Sequence, residues 1–396
     1  MFMSISFRPI SIGFSRNKNV KFSSFFFDSF MWWTPLILSL QGFSVSEKER
    51  ITMTHGAGGS VMGKLIGSLV LPYLGGFKAE VGLEMLDDAA VVDGVVFKSD
   101  SHAVRPIFFP GGDIGRLAVS GTVNDLAALG AEPQALGCGF VLEEGLSFGD
   151  LERVLASMKS TCEEAAVFVV TGDTKVVEHG SLGGLVVNIS GIGRRTSPLD
   201  HNLAVVKKYR NDFQARWILD KNLRRGDQII LSGTIGDHGL AVLSAQEGLA
   251  FGSNIVSDVK PLNHMVRRML EIGGVVSLKD PTRGGLANAL NEWSEKAKVG
   301  IQVYEEKIPL REDVRAASEM LGIDPLEVGN EGKMVVGVVK EMAENILEAL
   351  RETSEGEDAE IIGEATDAFD LVAMKTMVGG NRIMAMPVGD PVPRIC

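Results

Sequence analysis

The sequence predicts a mixed α/β protein of the α+β class, built as two units joined by a polar segment. Three observations carry this expectation. Strand-like runs rich in β-branched residues alternate with amphipathic helix-like runs from residue 46 to 195. A polar stretch, 196–225, holds Lys207, Lys208, Arg210, Arg224 and Arg225 and breaks the alternation. A second unit opens at Gln228-Ile229-Ile230-Leu231 and continues to residue 378. A chain of 396 residues is long enough to bury a core in each unit.

In the first unit a helix begins near Val61, behind a glycine-rich loop, and 91–98 reads as a strand. Asp113 stands where an N-cap belongs, and Gly130 where a helix stops, so a helix is expected up to Leu129. Val119, Val123, Leu126 and Ala127 share one of its faces, which turns Asn124 and Asp125 away and leaves them for other work. Asp150 caps the next helix, whose apolar face of Leu151, Val154, Leu155 and Met158 includes Cys162. Residues 167–170 and 185–190 are expected to be short strands, the first of them buried. In the second unit the strands are 228–231 and 334–339. Helices are expected over 286–298, with Leu286, Ala289, Leu290, Trp293 and Ala297 at helical spacing, and over 343–352.

Both ends stand apart. Residues 1–45 are rich in Phe, and Arg8, Arg16, Lys18 and Lys21 precede an apolar stretch, 31–40, in loose imitation of a signal peptide. Asp28 and Pro35 interrupt it, and no run is long enough to span a bilayer. A disordered or spurious extension is the preferred reading, and a targeting role the minority one. At the other end, residues 379–396 carry Gly379, Gly380, Pro387, Pro391 and Pro393 and finish on Cys396. Glycine permits swivelling and proline favours extended backbone, so this is a mobile arm with sulfur at its tip, or an ordinary loose terminus.

Composition excludes several classes. A formal charge of −12 argues against binding nucleic acid through phosphates. Three cysteines are too few for a disulfide framework and fit a reducing, cytoplasmic setting, with Cys138 and Cys162 structural. The six histidines lack metal-ligand spacing, which excludes a structural zinc site.

Candidate chemistry begins at His55-Gly56-Ala57-Gly58-Gly59. Backbone N–H groups of such a loop can close on phosphate, although the same residues also make an ordinary glycine turn. Acidic residues recur at element ends: Asp87-Asp88, Asp100, Asp125 beside Asn124, and Asp173 in Thr171-Gly172-Asp173-Thr174-Lys175. Each alone serves as a cap or turn residue. Together, in apolar settings, they call for a cation, and with the glycine loop they point to a Mg²⁺-nucleotide site. Lys175 is placed to meet phosphate or substrate. Three polar, glycine-rich turns lie at strand ends, 233–239, 280–285 and 330–333, where ligands gather in α/β folds.

From Ile51 to Cys396 the chain resembles the HypE family of hydrogenase maturation proteins, within the ATP-binding superfamily typified by aminoimidazole ribonucleotide synthetase. The resemblance rests on His55-Gly56-Ala57-Gly58-Gly59, Leu86-Asp87-Asp88-Ala89-Ala90, Phe108 to Ala127, and Thr171 to Val177. It continues through Gly236-Asp237-His238-Gly239, Lys279 to Gly285, Asn330-Glu331-Gly332-Lys333 and the terminal Pro-Arg-Ile-Cys. The last motif separates this family from its relatives. Two parts depart from the pattern: the N-terminal extension and a long connector at 199–223, neither of which touches a motif.

The resemblance implies a PurM-like two-domain fold. Domain 46–195 binds ATP and lends strands to a dimeric barrel, 196–225 is a linker or insertion, 226–378 is the second domain, and 379–396 is the mobile tail. It implies a carbamoyl dehydratase. The carbamoyltransferase HypF loads Cys396, ATP drives dehydration of the thiocarboxamide to a thiocyanate, and the HypC-HypD scaffold receives cyanide for the iron of a [NiFe]-hydrogenase. It also implies roles. Mg²⁺ falls to Asp87, Asp88, Asp100, Asp125 and Asp173. The nucleotide falls to His55, Gly56, Gly58, Gly59, Asn124, Asp173 and Thr174. Glu331 is the base, Lys175 orients the oxygen, and His102 and His238 stand in reserve for proton handling. Rival readings are a selenophosphate synthetase or thiamine-phosphate kinase, which need no terminal cysteine, and a carrier that only ferries a group on Cys396.

Overall fold

A computed structural model describes residues 50–249, 255–389, 391–392 and 395–396; the segment 1–45 lies outside the described residues. After α1 (Gly59–Leu65) and α2 (Leu71–Leu74), the expected strand at 91–98 divides into β1 (Ala90–Val92) and β2 (Val95–His102). Asp93 and Gly94 take positive φ between them, the backbone of a tight hairpin. Residues β3 (Phe108–Phe109) and β4 (Gly112–Asp113) form a short antiparallel pair that leads into α3 (Ile114–Ala128). Asp113 caps α3 as expected, accepting from Gly115 N at 2.7 Å and Arg116 N at 3.2 Å. Helix α4 (Phe148–Ala165) starts three residues earlier than expected. Its N-cap is Ser147, whose Oγ accepts from Asp150 N at 3.0 Å, so Asp150 lies in the first turn instead of capping it.

The first sheet adds β5 (Glu132–Glu143), β6 (Phe168–Val177) and β7 (Leu185–Arg194), in the order β1-β2-β7-β5-β6. Helix α3 packs on β2, β7 and β5 and is buried almost throughout. Strand β6 pairs with β5 in parallel and forms the edge beyond it. The expectation of a buried strand at 167–170 is therefore corrected: Val167 is buried, but Phe168, Val169 and Val170 are exposed because α3 does not reach this edge.

The segment 196–225 also departs from expectation. It forms α5 (Ser197–Tyr209), and Leu199, Leu203, Val206, Phe213, Trp217 and Ile218 enter the main core. Lys207, Lys208 and Arg225 are exposed, Arg224 pairs with Asp212 at 2.8 Å, and Arg210 turns inward to pair with buried Asp227. The charges dominate the sequence pattern, while the apolar residues decide the packing.

The second sheet is built from β8 (Gln228–Leu231), β9 (Val275–Lys279), β10 (Gly300–Tyr304), β11 (Val335–Val338), β12 (Glu360–Thr366), β13 (Val372–Lys375) and β14 (Asn381–Ile383). Its order is β14-β13-β10-β12-β8-β11-β9, antiparallel except where β10 meets β13. The helices of this half are α6 (Asp237–Glu247), α7 (Asn263–Ile272), α8 (Gly285–Ala297), α9 (Glu312–Leu321) and α10 (Ala343–Arg351). Strands β9 and β11 are buried along their whole length, which explains their near-continuous apolar sequences. Asp280, just after β9, and Glu331, just before β11, border the same cavity as the acidic residues of the first half.

Candidate active site

Three carboxylates converge from distant parts of the chain. Asp88 precedes β1, Asp125 lies on α3, and Asp280 follows β9; one oxygen of each lies within 4.8 Å of the others. Burial raises the proton affinity of all three. Asp280 is pushed up to about 7, first by burial and then by the charge of Asp88. Asp125 is held well above the carboxylate range by burial, although Lys98 opposes this. Asp88 is raised by burial against the pull of Lys279. Such a cluster has an excess of buried oxygen donors for its few cations. Hard oxygen ligands in this number suit Mg²⁺, so the donor set fits that ion.

Two lysines organise the cluster. Lys98 on β2 lies 2.7 Å from Asp125 and 3.3 Å from Asp100. Burial is the largest influence on the Asp100 carboxyl and pushes it up, but Lys98, the hydrogen bond with Asp125 and the charge of Arg283 together hold it below its ordinary range. Lys279, at the end of β9, meets Asp88 at 2.8 Å, Asp220 at 3.2 Å and Glu292 at 3.1 Å. Asp220 in turn holds Lys296 at 2.6 Å and accepts from Trp293 Nε1 at 2.8 Å. Asp87 accepts from the backbone N–H of Asp220 at 3.0 Å, and its carboxyl is raised to about 6, chiefly by burial. The connector at 199–223 was expected to touch no motif. Asp220 corrects that, because it anchors the lysine that holds Asp88.

These residues border a cavity of about 1040 Å³. Gly58, Gly59, Asp87, Asp88, Asp100 and Asp125 line it, and so do Glu331 and Cys396. Glu331 is 3% exposed, its Oε1 has no hydrogen-bond partner among the described residues, and its proton affinity is raised well above the ordinary range by burial and then by Asp280. His102 comes close to it: a Cβ on Gly121 would lie 3.0 Å from His102 Nε2 and 3.9 Å from Glu331 Oε2. Burial depresses His102 to about 4, so the ring is neutral near pH 7.

The tail enters this cavity. The Pro387 carbonyl accepts from Ser60 N at 3.0 Å and crosses so close to Gly59 that a Cβ there would lie 2.1 Å from it. Gly59 also has a φ of +66°, so glycine is required twice over. Val392 and Ile395 are buried, and Cys396 is half-buried at the cavity wall. Arg283 borders the cavity too, and negative charge at Cys396 is the main influence raising its proton affinity.

Other expected residues lie elsewhere. His55 bonds to Thr52, at 3.1 Å from its N and 2.8 Å from its Oγ1, and neither His55 nor Gly56 lines the cavity. Asn124 does not stay free, as the helix pattern suggested. Its amide is spent on the backbone of Lys260, Leu262 and Glu331, which locks α3 to the second half. Asp173, Thr174 and Lys175 are exposed on β6 and do not line the cavity of their own chain. His238 is buried beneath the tail, not at the cavity wall. Conversely, Lys98, Lys279, Asp280 and Arg283 were assigned no role from sequence. The polar turn at 280–285 was the available signal for two of them.

Two family models match the chain: AIR synthase related protein, N-terminal domain, over residues 86–195, and its C-terminal domain over residues 224–375. The carbamoyl dehydratase HypE of Azotobacter vinelandii is 44% identical over 352 residues, covering 87% of this chain and 97% of that protein. The carbamoyl dehydratase HypE of Escherichia coli K12 is 36% identical over 353 residues, covering 88% and 100%. A crystal structure of a HypE-HypF complex superposes with a TM-score of 0.74 at 42% identity, covering 82% of this chain and 99% of that one. A crystal structure of HypE in complex with ATP gives 0.70 at 41% identity, covering 88% and 100%.

Proposed function

The chain belongs to the carbamoyl dehydratase HypE family, and from that premise we propose that it converts an S-carbamoyl group on its own Cys396 into a thiocyanate at the expense of ATP. The observation that carries this reading is the chain end. Cys396 borders the same cavity as Glu331 and the Asp88, Asp125 and Asp280 cluster.

The net change removes one water from the group on sulfur. The carbonyl oxygen departs, both amide protons leave the nitrogen, and the carbon–nitrogen bond becomes triple. When bound, ATP supplies the phosphoryl group that makes this oxygen a leaving group, and Mg²⁺ held by Asp88, Asp125 and Asp280 neutralises the charge. The chain's own residues do the rest. Glu331 takes a proton from the amide nitrogen at a carboxylate oxygen, and its raised proton affinity suits that task. Lys98 and Lys279 keep the acidic side chains in place. The tail delivers the sulfur, so the reaction is effectively intramolecular. Its glycines allow it to swing out for loading and delivery.

The reading includes a cytoplasmic homodimer. Strand β6 is an exposed edge carrying Phe168, Val170 and Val176, a surface that seeks a partner. In the dimer this edge pairs with the second copy, and Asp173, Thr174 and Lys175 serve the partner's cavity, where Lys175 orients the oxygen. HypF loads Cys396 and the HypC-HypD scaffold receives the cyanide. The test is the intact mass of the C-terminal peptide after incubation with HypF, carbamoyl phosphate and Mg-ATP. Gain of a carbamoyl group followed by loss of one water is expected; a peptide that never loses water overturns the reading.

A further inference from the structure

His238 lies at the start of α6 with both ring nitrogens engaged. Nε2 is 2.8 Å from the Ile395 carbonyl oxygen, one residue before Cys396, and Nδ1 is 2.8 Å from Ser257 Oγ. A carbonyl can only accept, so Nε2 carries the proton. In the neutral ring Nδ1 then accepts from the Ser257 hydroxyl, and Ser257 Oγ itself accepts from Val259 N at 3.1 Å. Ser257 N donates to the Pro110 carbonyl at 2.8 Å, which ties this relay to the turn ahead of α3. Phe109 meets the ring edge-on at 5.4 Å between centroids. The tautomer and the orientation of His238 are therefore both set from behind, leaving Nε2–H aimed at the tail. Burial also favours the neutral ring.

A second contact acts on the same residue. The Ile395 side chain sits over Gly329, where a Cβ would lie 2.5 Å from Ile395 Cδ1. The Gly329 carbonyl accepts from Gly239 N at 3.1 Å, beside His238. Glu331 is two residues further along, so one short segment seats the tail and presents the base. A histidine that served only the core would not need a relay ending on the penultimate carbonyl of the chain.

We propose that His238 is a positioning residue for the dehydration step: its Nε2–H holds the Ile395 carbonyl and thereby keeps Cys396 in the cavity. The proposal rests on Cys396 as the carrier, but its test does not. In the full chain, without ATP or HypF, the alkylation rate of Cys396 by N-ethylmaleimide reports how often the tail leaves, with buried Cys138 and Cys162 as internal controls for unfolding. Loss of one hydrogen bond predicts that H238A raises this rate about fivefold. H238Q, which retains an amide donor near the Nε2 position, returns it toward the original value. Nucleotide affinity is expected to stay unchanged, while the dehydration rate falls in step with the docked fraction of the tail. An unchanged Cys396 rate in folded H238A overturns the proposal. Should H238A expose Cys138 and Cys162, ¹⁵N NMR of the unmutated ring decides instead. A slowly exchanging Nε2 proton that is lost on deleting residues 395–396 is expected, and one indifferent to that deletion overturns the proposal.

Discussion

Glu331 shows what a single residue gains from its surroundings. An exposed glutamate would be too weak a base for an amide proton, and here burial and nearby Asp280 raise its proton affinity. Glu331→Gln keeps the shape and removes the proposed base. Dehydration is expected to slow by about 10²–10⁴-fold while carbamoylation of Cys396 continues, read by mass on the C-terminal peptide. Lys279 is the structural counterpart. It is 8% exposed and compensates Asp88, Asp220 and Glu292 together. Replacing it with methionine leaves buried carboxylates uncompensated. Denaturant unfolding should show a loss of about 3–5 kcal/mol, with Asp88 no longer held in the cluster. The sequence announced Glu331 through its polar turn, but Lys279 ends a buried apolar strand, and nothing local marks its three partners.

At the scale of elements, the bounds of α3, the extent of α8 and the strands β8 and β11 were legible, while the start of α4 was not. Asp113, Gly130 and the 286–297 apolar spacing are local signals, and the helices formed where they pointed. The β6 edge was not legible, because an apolar run reads alike whether a helix or another chain covers it. The loop between β6 and β7 is held by a device that no motif shows. The Glu143 carboxylate accepts from the N–H groups of Gly180, Leu182, Gly183 and Gly184. These bonds depress it from an ordinary 4.5 to about 2. A depressed folded-state value contributes stability that is present above about pH 4.5 and lost as pH falls from there toward 2. Hydrogen exchange at residues 180–184 should therefore accelerate on acidification through that window. In Glu143→Gln it should be fast already at neutral pH and insensitive to the same change.

At the scale of the whole molecule, the reading places Lys175 in the partner's cavity, and complementation tests this. Lys175→Ala and Cys396→Ala homodimers are each expected to be inactive. Mixing them under exchange gives hybrids in which one cavity holds both an intact tail and a partner lysine. If exchange is complete, half of the dimers are hybrids, and roughly a quarter of the original cavities recover. No recovery, with hybrids confirmed by mass, would place Lys175 in its own chain's cavity or outside the chemistry.

The sequence by itself determined the α/β alternation, the cap of α3, the glycine loop, the scattered acidic turns and the sulfur at the chain end. Each depends on residues a few positions apart, so local periodicity and turn chemistry suffice to read it. Only the tertiary structure decided which acids meet. Asp173 lies on an exposed edge, Asp280 joins Asp88 and Asp125, and a connector dismissed as a linker supplies Asp220. The physical reason is that carboxylates repel and lose solvation as they approach, so nothing local draws them together. The packing of the two sheets, driven by apolar burial, imposes their proximity and leaves lysines to make it tolerable.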